Sequence, residues 1–314
     1  MQNNSHAKEG NKCRVKKTSL SQELSKYLAA LRPWSFTSSF TPVALGSALA
    51  YMEHAEFSLL ISLVTCLTAL SVHAAGNLVN TYVDYVRGID TKKKKDANHK
   101  TLVDSVLMPG DIAWLGGLSY VLGCCGFLLL AYISPARMEH LALIYFGGLS
   151  GSFLYTGGLG LKYVALGDVV VFLTFGPLTV VFAFLSQTGE LSNEPIFYAI
   201  PLAISAEAVL HCNNTRHMES DTDAGIVTLA ILLGHTGSYI LFVMLLFLPY
   251  IAFVYLGLHY SKWYFLPLLT VFESFKLERY FRYRHLEQLP RKVARLNFIF
   301  GLLYVIACIL ALKH

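Results

Sequence analysis

Charge is what this 314-residue chain has least of: Asp, Glu, Lys and Arg make up 14% of it, against 54% hydrophobic residues. Ordinary soluble domains carry about 25% charged residues, so the composition argues against a water-soluble globule. Cysteine pairs at zinc-binding spacing are also lacking. Cys66, Cys124, Cys125 and Cys308 lie inside apolar stretches, Cys212 ends another and Cys13 sits in a polar tail, so the thiols read as small hydrophobes. The N-terminal region has no apolar core of the kind a secretory signal peptide needs, and no tandem repeat of 20–50 residues is visible. Residues 1–33 are expected to form a disordered, basic cytosolic tail, and residues 34–314 a membrane domain.

What the chain does have is long uncharged windows. Residues 33–52, 57–83, 112–136, 140–161, 169–189 and 224–261 contain no Asp, Glu, Lys or Arg, and about 20 such residues suffice for a membrane-crossing helix. Weaker candidates at 195–211, 263–275 and 296–312 bring the expected count to nine, and the Gly234-His-Thr-Gly237 sequence predicts a break near the start of the longest window. The fold class is therefore all-α, a polytopic membrane protein. With the N-terminus inside, inside segments fall near 84–111, 156–168, 211–225 and 276–295, and 22 of the 25 Lys and Arg residues lie in the tail or these segments. That asymmetry is the positive-inside pattern. The formal charge of +5 is spread in short basic runs between apolar windows, so the bilayer with its anionic headgroups is the expected partner, not nucleic acid.

Two polar clusters stand at the same expected membrane face. In the first, Asn77, Asn80 and Asp84 are spaced i, i+3, i+7 on one helix face, and Gly88 permits a bend that returns Asp90 toward them. A polar helix end dissolving into solvent would look the same. In the second, Asn213, His217 and Asp221 share a face at i, i+4, i+8, beside a stripe of Glu207, His211 and Asn214. Ionisable groups within or beside a span are costly and usually line a cavity or pathway. Two separated carboxylate clusters suit an anionic ligand if divalent cations lie between them, because Mg2+ commonly bridges carboxylates to substrate phosphates. Lys162 and Arg216 could add positive charge for phosphate oxygens; a loop lysine that only sets topology is the alternative for Lys162.

These residues resemble the UbiA superfamily of intramembrane prenyltransferases, and within it an animal subfamily that makes menaquinone-4 (vitamin K2). The resemblance runs from about Leu31 to the C-terminus. It rests on Gly76-Asn-Leu-Val-Asn-Thr-Tyr, Gly88-Ile-Asp, Thr101-Leu-Val-Asp104, the stretch from Glu139 to Gly158, Lys162-Tyr-Val-Ala-Leu-Gly-Asp168 and Asn213-Asn-Thr-Arg. It implies nine helices around a central cavity, capped by loops that carry two aspartate-rich motifs. Asn80, Asp84 and Asp90 match the first motif, and Asn213, Asn214, Arg216 and Asp221 the second. Lys162 and Asp168 match the loop lysine and acidic residue, and Tyr155 a tyrosine at the cavity rim. The implied metal ligands are Asp84, Asp90 and Asp221. One departure matters: where the family's second motif opens with aspartate, this chain has His217, an imidazole that suits zinc, copper or iron better than Mg2+. Glu219 and Asp223 are the nearby carboxylates that could substitute, Asp223 only where the helix has ended.

The implied reaction is Mg2+-assisted transfer of a geranylgeranyl group from its diphosphate to a menadione-derived naphthoquinol. Metal ligands Asp84, Asp90 and Asp221 would neutralise the leaving diphosphate with help from Lys162 and Arg216. Asn80, Asn213 and Asn214 would orient ligands, Asp168 would take a proton or pair with Lys162, and the rings of Tyr155 or Tyr163 would face the allylic cation. Two other readings remain at this point: a weakened or inactive prenyl-diphosphate-binding regulator, motivated by His217 and by the resemblance to a partner of a sterol-synthesis reductase, and a transporter. A transporter calls for midplane charges, whereas the charges here gather at one face. The resemblance further implies endoplasmic reticulum or Golgi membranes, with mitochondria as an alternative.

Overall fold

The computed structural model of the chain describes residues 20–54, 57–88, 107–157 and 160–311. Among them the α-helices are α1 (Leu20–Leu31), α2 (Thr37–His54), α3 (Leu59–Val86), α4 (Pro109–Ile133), α5 (Met138–Thr156), α6 (Gly167–Leu173), α7 (Thr179–Thr188), α8 (Glu194–Asp223), α9 (Leu229–His259), α10 (Val271–Arg282) and α11 (Leu289–Ala311). The described residues contain no strand, only an isolated parallel bridge between Val164 and Val227. Six segments are long and apolar enough to cross a membrane: α3, α4, the α6–α7 unit Gly167–Thr188, α8, α9 and α11. The expected count of nine draws in addition on α2, α5 and the 3-10 stretch Lys262–Thr270 that runs into α10.

Local sequence sets the boundaries. Ser58 and Thr228 cap α3 and α9, each hydroxyl accepting from the backbone N–H three residues on. Gly189, at φ 78°, ends α7 in the left-handed conformation that glycine adopts freely. The predicted break in the longest window is present: Gly234 interrupts α9 at φ 64° and ψ −178°. Two expectations are corrected. Residues 211–225 were expected to leave the membrane as a loop, but α8 stays helical through Asp223, so the second motif lies on a rigid rod. Within the tail expected to be disordered, residues 20–31 form α1; Tyr27, Ala30 and Leu31 pack against Leu78 and Ile112, and that apolar side orders the helix. Residues 1–19 lie outside the described residues.

Helices that lose no water on meeting must gain through close contact, so small residues mark their crossings. A Cβ at Gly46 on α2 would run into the Val180 carbonyl oxygen and come within 2.8 Å of Ala183 Cβ and 3.0 Å of Phe184 N on α7. Between α6 and α7 the chain forms a π-helical turn over Thr174–Leu178. Pro177 supplies no N–H to the ladder, Gly176 turns to φ −117° and ψ −106°, and Thr179 Oγ1 donates to the Thr174 carbonyl at 2.6 Å. One core joins α2, α7, α8, α9 and α11 around Phe184, Phe253, Tyr264 and Tyr304, and another joins α3, α4, α5 and α7 around Leu130, Leu141, Tyr145 and Leu185. The five described cysteines form no disulfide.

Candidate active site

The α3 rod ends in the first polar cluster, and the connection between α5 and α6 folds over it. Lys162, in the 3-10 turn Leu161–Tyr163, places its Nζ 2.6 Å from Asp84 Oδ2 and 2.9 Å from Asn80 Oδ1. Tyr163 donates its hydroxyl to Asp84 Oδ1 at 2.8 Å, and Thr156 donates to Asn80 Oδ1 at 3.1 Å. Asp84 is buried, and both of its side-chain partners come from the same 3-10 turn. Burial, followed by the Asp84 carboxylate, raises the Tyr163 phenol above its ordinary value, so it stays a donor at neutral pH. Its ring lies under the Arg87 guanidinium, 4.5 Å from the centroid. One π face of the ring expected to meet an allylic cation is thus already covered by a cation that the chain itself supplies.

The other predicted residues divide into two groups. Tyr155 rests its ring against Gly167, where an added Cβ would meet Tyr155 Cε2 at 3.0 Å and the Lys162 Cα at 3.3 Å. Asp168 sits in the first turn of α6. The pairing of Asp168 with Lys162, one of its two expected roles, is not formed, because Lys162 turns to Asp84. Asp168 instead faces Glu207 of α8, and neither Glu207 oxygen nor Asp168 Oδ1 receives a donor from another described residue. On α8, Arg216 Nη2 lies 2.8 Å from Asn213 Oδ1 and 2.9 Å from His217 Nε2, while Nη1 donates to the Glu287 carbonyl at 2.7 Å. Asn214 is buried, and Asp221 and Asp223 occupy the last turn of α8. Asp90 lies outside the described residues, as does the Thr101–Asp104 stretch.

Backbone pairing joins the two clusters. Ala165 N donates to Val227 O at 2.8 Å and Val227 N to Tyr163 O at 3.2 Å, and Ile226 N caps the second motif by donating to Asp221 O at 2.9 Å. The segment after Asp221 is thus stitched to the turn that carries Lys162 and Tyr163. A family model described as the UbiA prenyltransferase family matches residues 39–309. This chain belongs to that family. It is 55% identical over 306 residues to the human UbiA prenyltransferase domain-containing protein 1, covering 96% of this chain and 90% of that one. Solved structures share the fold: the apo UbiA homolog from Aeropyrum pernix at TM-score 0.66 and 13% identity, covering 88% of this chain and 98% of that one; and the Archaeoglobus fulgidus UbiA homolog bound to DMAPP and Mg2+ at TM-score 0.58 and 15% identity, covering 92% and 99%.

The donor set of this UbiA-family chain can be tested against the metal. Asn80, Asp84, Asn213 and Asp221 offer hard oxygens, which fit Mg2+. Among the described residues no three His, Cys, Asp or Glu side chains converge, and Asp90, the third expected ligand, lies outside them. His217 does not fit that role, since its Nε2 is engaged with Arg216. Thr156 escaped the sequence-based site, because its partner lies 76 positions away; Glu207 was visible as a carboxylate in the stripe beside the second motif but was assigned no role.

Proposed function

We propose that this membrane prenyltransferase moves a geranylgeranyl group from its diphosphate to a menadione-derived naphthoquinol, forming menaquinone-4. The observation that carries the reading is the convergence of Asn80, Asp84, Lys162 and Tyr163, an anion-handling corner with both signs of charge. Asp84, Asp90 and Asp221 would hold Mg2+, which supplies charge neutralisation to the departing diphosphate. Lys162 can exchange Asp84 for a diphosphate oxygen once that carboxylate is otherwise compensated, and Arg216, aimed by Asn213 and His217, adds a planar fork for a second oxygen. Tyr163 keeps Asp84 oriented through a proton it does not give up at neutral pH. The packed ring of Tyr155 shields the reacting carbon from water, which would otherwise capture the allylic cation as the free alcohol. Asp168 and Glu207 form the adjacent proton-accepting corner for the aromatic acceptor.

The Lys and Arg asymmetry supports a cytosolic site, and endoplasmic reticulum or Golgi membranes follow from the resemblance. Membranes containing this chain, fed menadione under reducing conditions with geranylgeranyl diphosphate and Mg2+, should form menaquinone-4 detectable by mass spectrometry. Absence of any prenylated quinone from active-folded protein overturns the reading. His217, tied to Arg216, favours one alternative: a chain that binds prenyl diphosphate and acts through a partner such as a sterol-synthesis reductase. That alternative predicts diphosphate binding without turnover.

A further inference from the structure

Asp168 and Glu207 face each other between α6 and α8 and are only 7% and 6% exposed. Neither Glu207 oxygen nor Asp168 Oδ1 receives an N–H or O–H from another described residue. Three of the four carboxyl oxygens are thus sealed without a donor, which leaves Asp168 Oδ2 as the one that can meet a substrate. The pair is not remote from the diphosphate corner: the Tyr155 phenol on α5 lies within electrostatic reach of Asp168, Glu207 and Asp84 together, and Asp168 follows Lys162 by six residues.

The groups around the pair do not neutralise it. Lys162 donates to Asp84 Oδ2 at 2.6 Å and to Asn80 Oδ1 at 2.9 Å. His211, one turn beyond Glu207 on α8 and within electrostatic reach of Asp168, has its Nε2 3.1 Å from the Ser238 carbonyl oxygen. That oxygen only accepts, so the imidazole carries its proton on Nε2, and its buried Nδ1 is a further bare acceptor. The Tyr155 hydroxyl reaches none of the three sealed oxygens. Among the described residues no third carboxylate, imidazole or thiol joins the two in a group that could hold a metal. What remains is a proton. Two facing carboxylates with no cation between them cannot both stay ionised, whereas one proton shared across the contact removes a charge and supplies the missing donor. Such a proton belongs to the pair and not to either residue.

We infer that Asp168 and Glu207 hold one proton between them, and that Glu207 is a positioning residue whose proton keeps Asp168 ionised and aimed as the base of the transfer. In that step a ring carbon of the quinol bonds to the allylic C1, the C1–O bond breaks, and its electron pair leaves with the diphosphate. The same ring carbon gives up its hydrogen as a proton to Asp168 Oδ2, and the electrons of the broken C–H bond restore the aromatic ring. Glu207 keeps its own proton throughout, so the pair passes from one proton to two and returns to one after product leaves. A lone buried Asp168 would take up a proton before the substrate arrived and could not act as base. The inference rests on the aromatic-prenylation reading for its substrate, but the shared proton is tested without turnover.

Full-length protein in nanodiscs, free of substrate and at neutral pH, should show in its infrared spectrum the carbonyl band of a protonated carboxylic acid, shifted on transfer to D2O. Glu207→Gln puts an amide donor where the acid proton was, so Asp168 stays ionised and the band should vanish. Glu207→Ala leaves Asp168 buried without a donor, so the proton moves onto Asp168 and the band should persist. Transfer to menadiol should run opposite to the band in the two variants. Glu207→Ala should lose at least about a hundredfold at neutral pH, the contribution of a positioned base, and regain rate as pH rises; Glu207→Gln should recover at least about tenfold of that loss. Absence of the band from the parent overturns the inference, and so does a band that survives in Glu207→Gln, which needs no activity to be read. Equal losses of transfer in the two variants, or a loss in Glu207→Ala that is the same at every pH, assign Glu207 a packing role and overturn it as well. A parent and variants that show the expected bands while the parent makes no prenylated quinone overturn the enzymatic reading alone.

Discussion

Replacing Lys162 by Met isolates the charge balance of the first motif. The Lys162 and Asp84 side chains are 17% and 11% exposed and 2.6 Å apart, so the substitution leaves a largely buried carboxylate with only its Tyr163 donor. Breaking such a pair from one side typically costs about 3–5 kcal/mol, and the surviving Tyr163 bond places the expected loss near about 3 kcal/mol. Removing both charges, in Lys162→Met with Asp84→Asn, should cost less than the sum of the two single substitutions, with a coupling of about 2 kcal/mol. Mg2+ enters the comparison through linkage, stabilising by about 2.7 kcal/mol at a hundredfold excess over its dissociation constant. It should stabilise Lys162→Met more than the parent, because in the parent it competes with an ammonium. The assay is thermal unfolding of purified protein with and without Mg2+ for parent, both single variants and the double. Strict additivity of the two losses, or an equal Mg2+ shift in parent and Lys162→Met, would refute the argument that Lys162 holds the place of a cation.

Asp84→Ala should abolish transfer while the protein still expresses and binds to membranes; retained product formation, measured by mass spectrometry, removes the first motif from the mechanism. His217→Asp should raise Mg2+ affinity and transfer rate, and a titration of rate against Mg2+ that does not move left would show that the imidazole is no handicap. The raised Tyr163 phenol means that the folded state holds its proton where an unfolded tyrosine has lost it. Its stabilising contribution is therefore full below pH 10.0 and lost as pH rises beyond that, so the melting-point difference between parent and Tyr163→Phe should shrink across alkaline pH; a constant difference contradicts the assignment. Gly46→Ala should lower the melting point by the equivalent of about 1–3 kcal/mol through overpacking against the α7 backbone, whereas Gly117→Ala, with open space around it, should be silent.

Much of this protein is legible without coordinates because a bilayer leaves few choices. Uncharged windows at 57–83 and 112–136 become α3 and α4 within a few residues at each end, since lipid offers a backbone no other way to satisfy its polar groups. Helical spacing likewise put Asn77, Asn80 and Asp84 on one face before any contact was known. The extent of α8 was not legible, because the polar residues 213–223 look like a loop while packing against neighbours keeps them helical. The partner of Lys162 was not legible either. Asp168, six positions away, and Asp84, 78 positions away, were equally available to a sequence argument.

Composition and periodicity alone thus determined that the chain is a helical membrane protein with acidic, amide-rich clusters, because solvation by lipid acts on each segment separately. Which carboxylate meets which cation, and that one face of the Tyr163 ring is covered by Arg87, were decided only when distant helices packed together. Those facts depend on distances of a few ångströms between residues far apart in the chain, and local sequence carries no record of them.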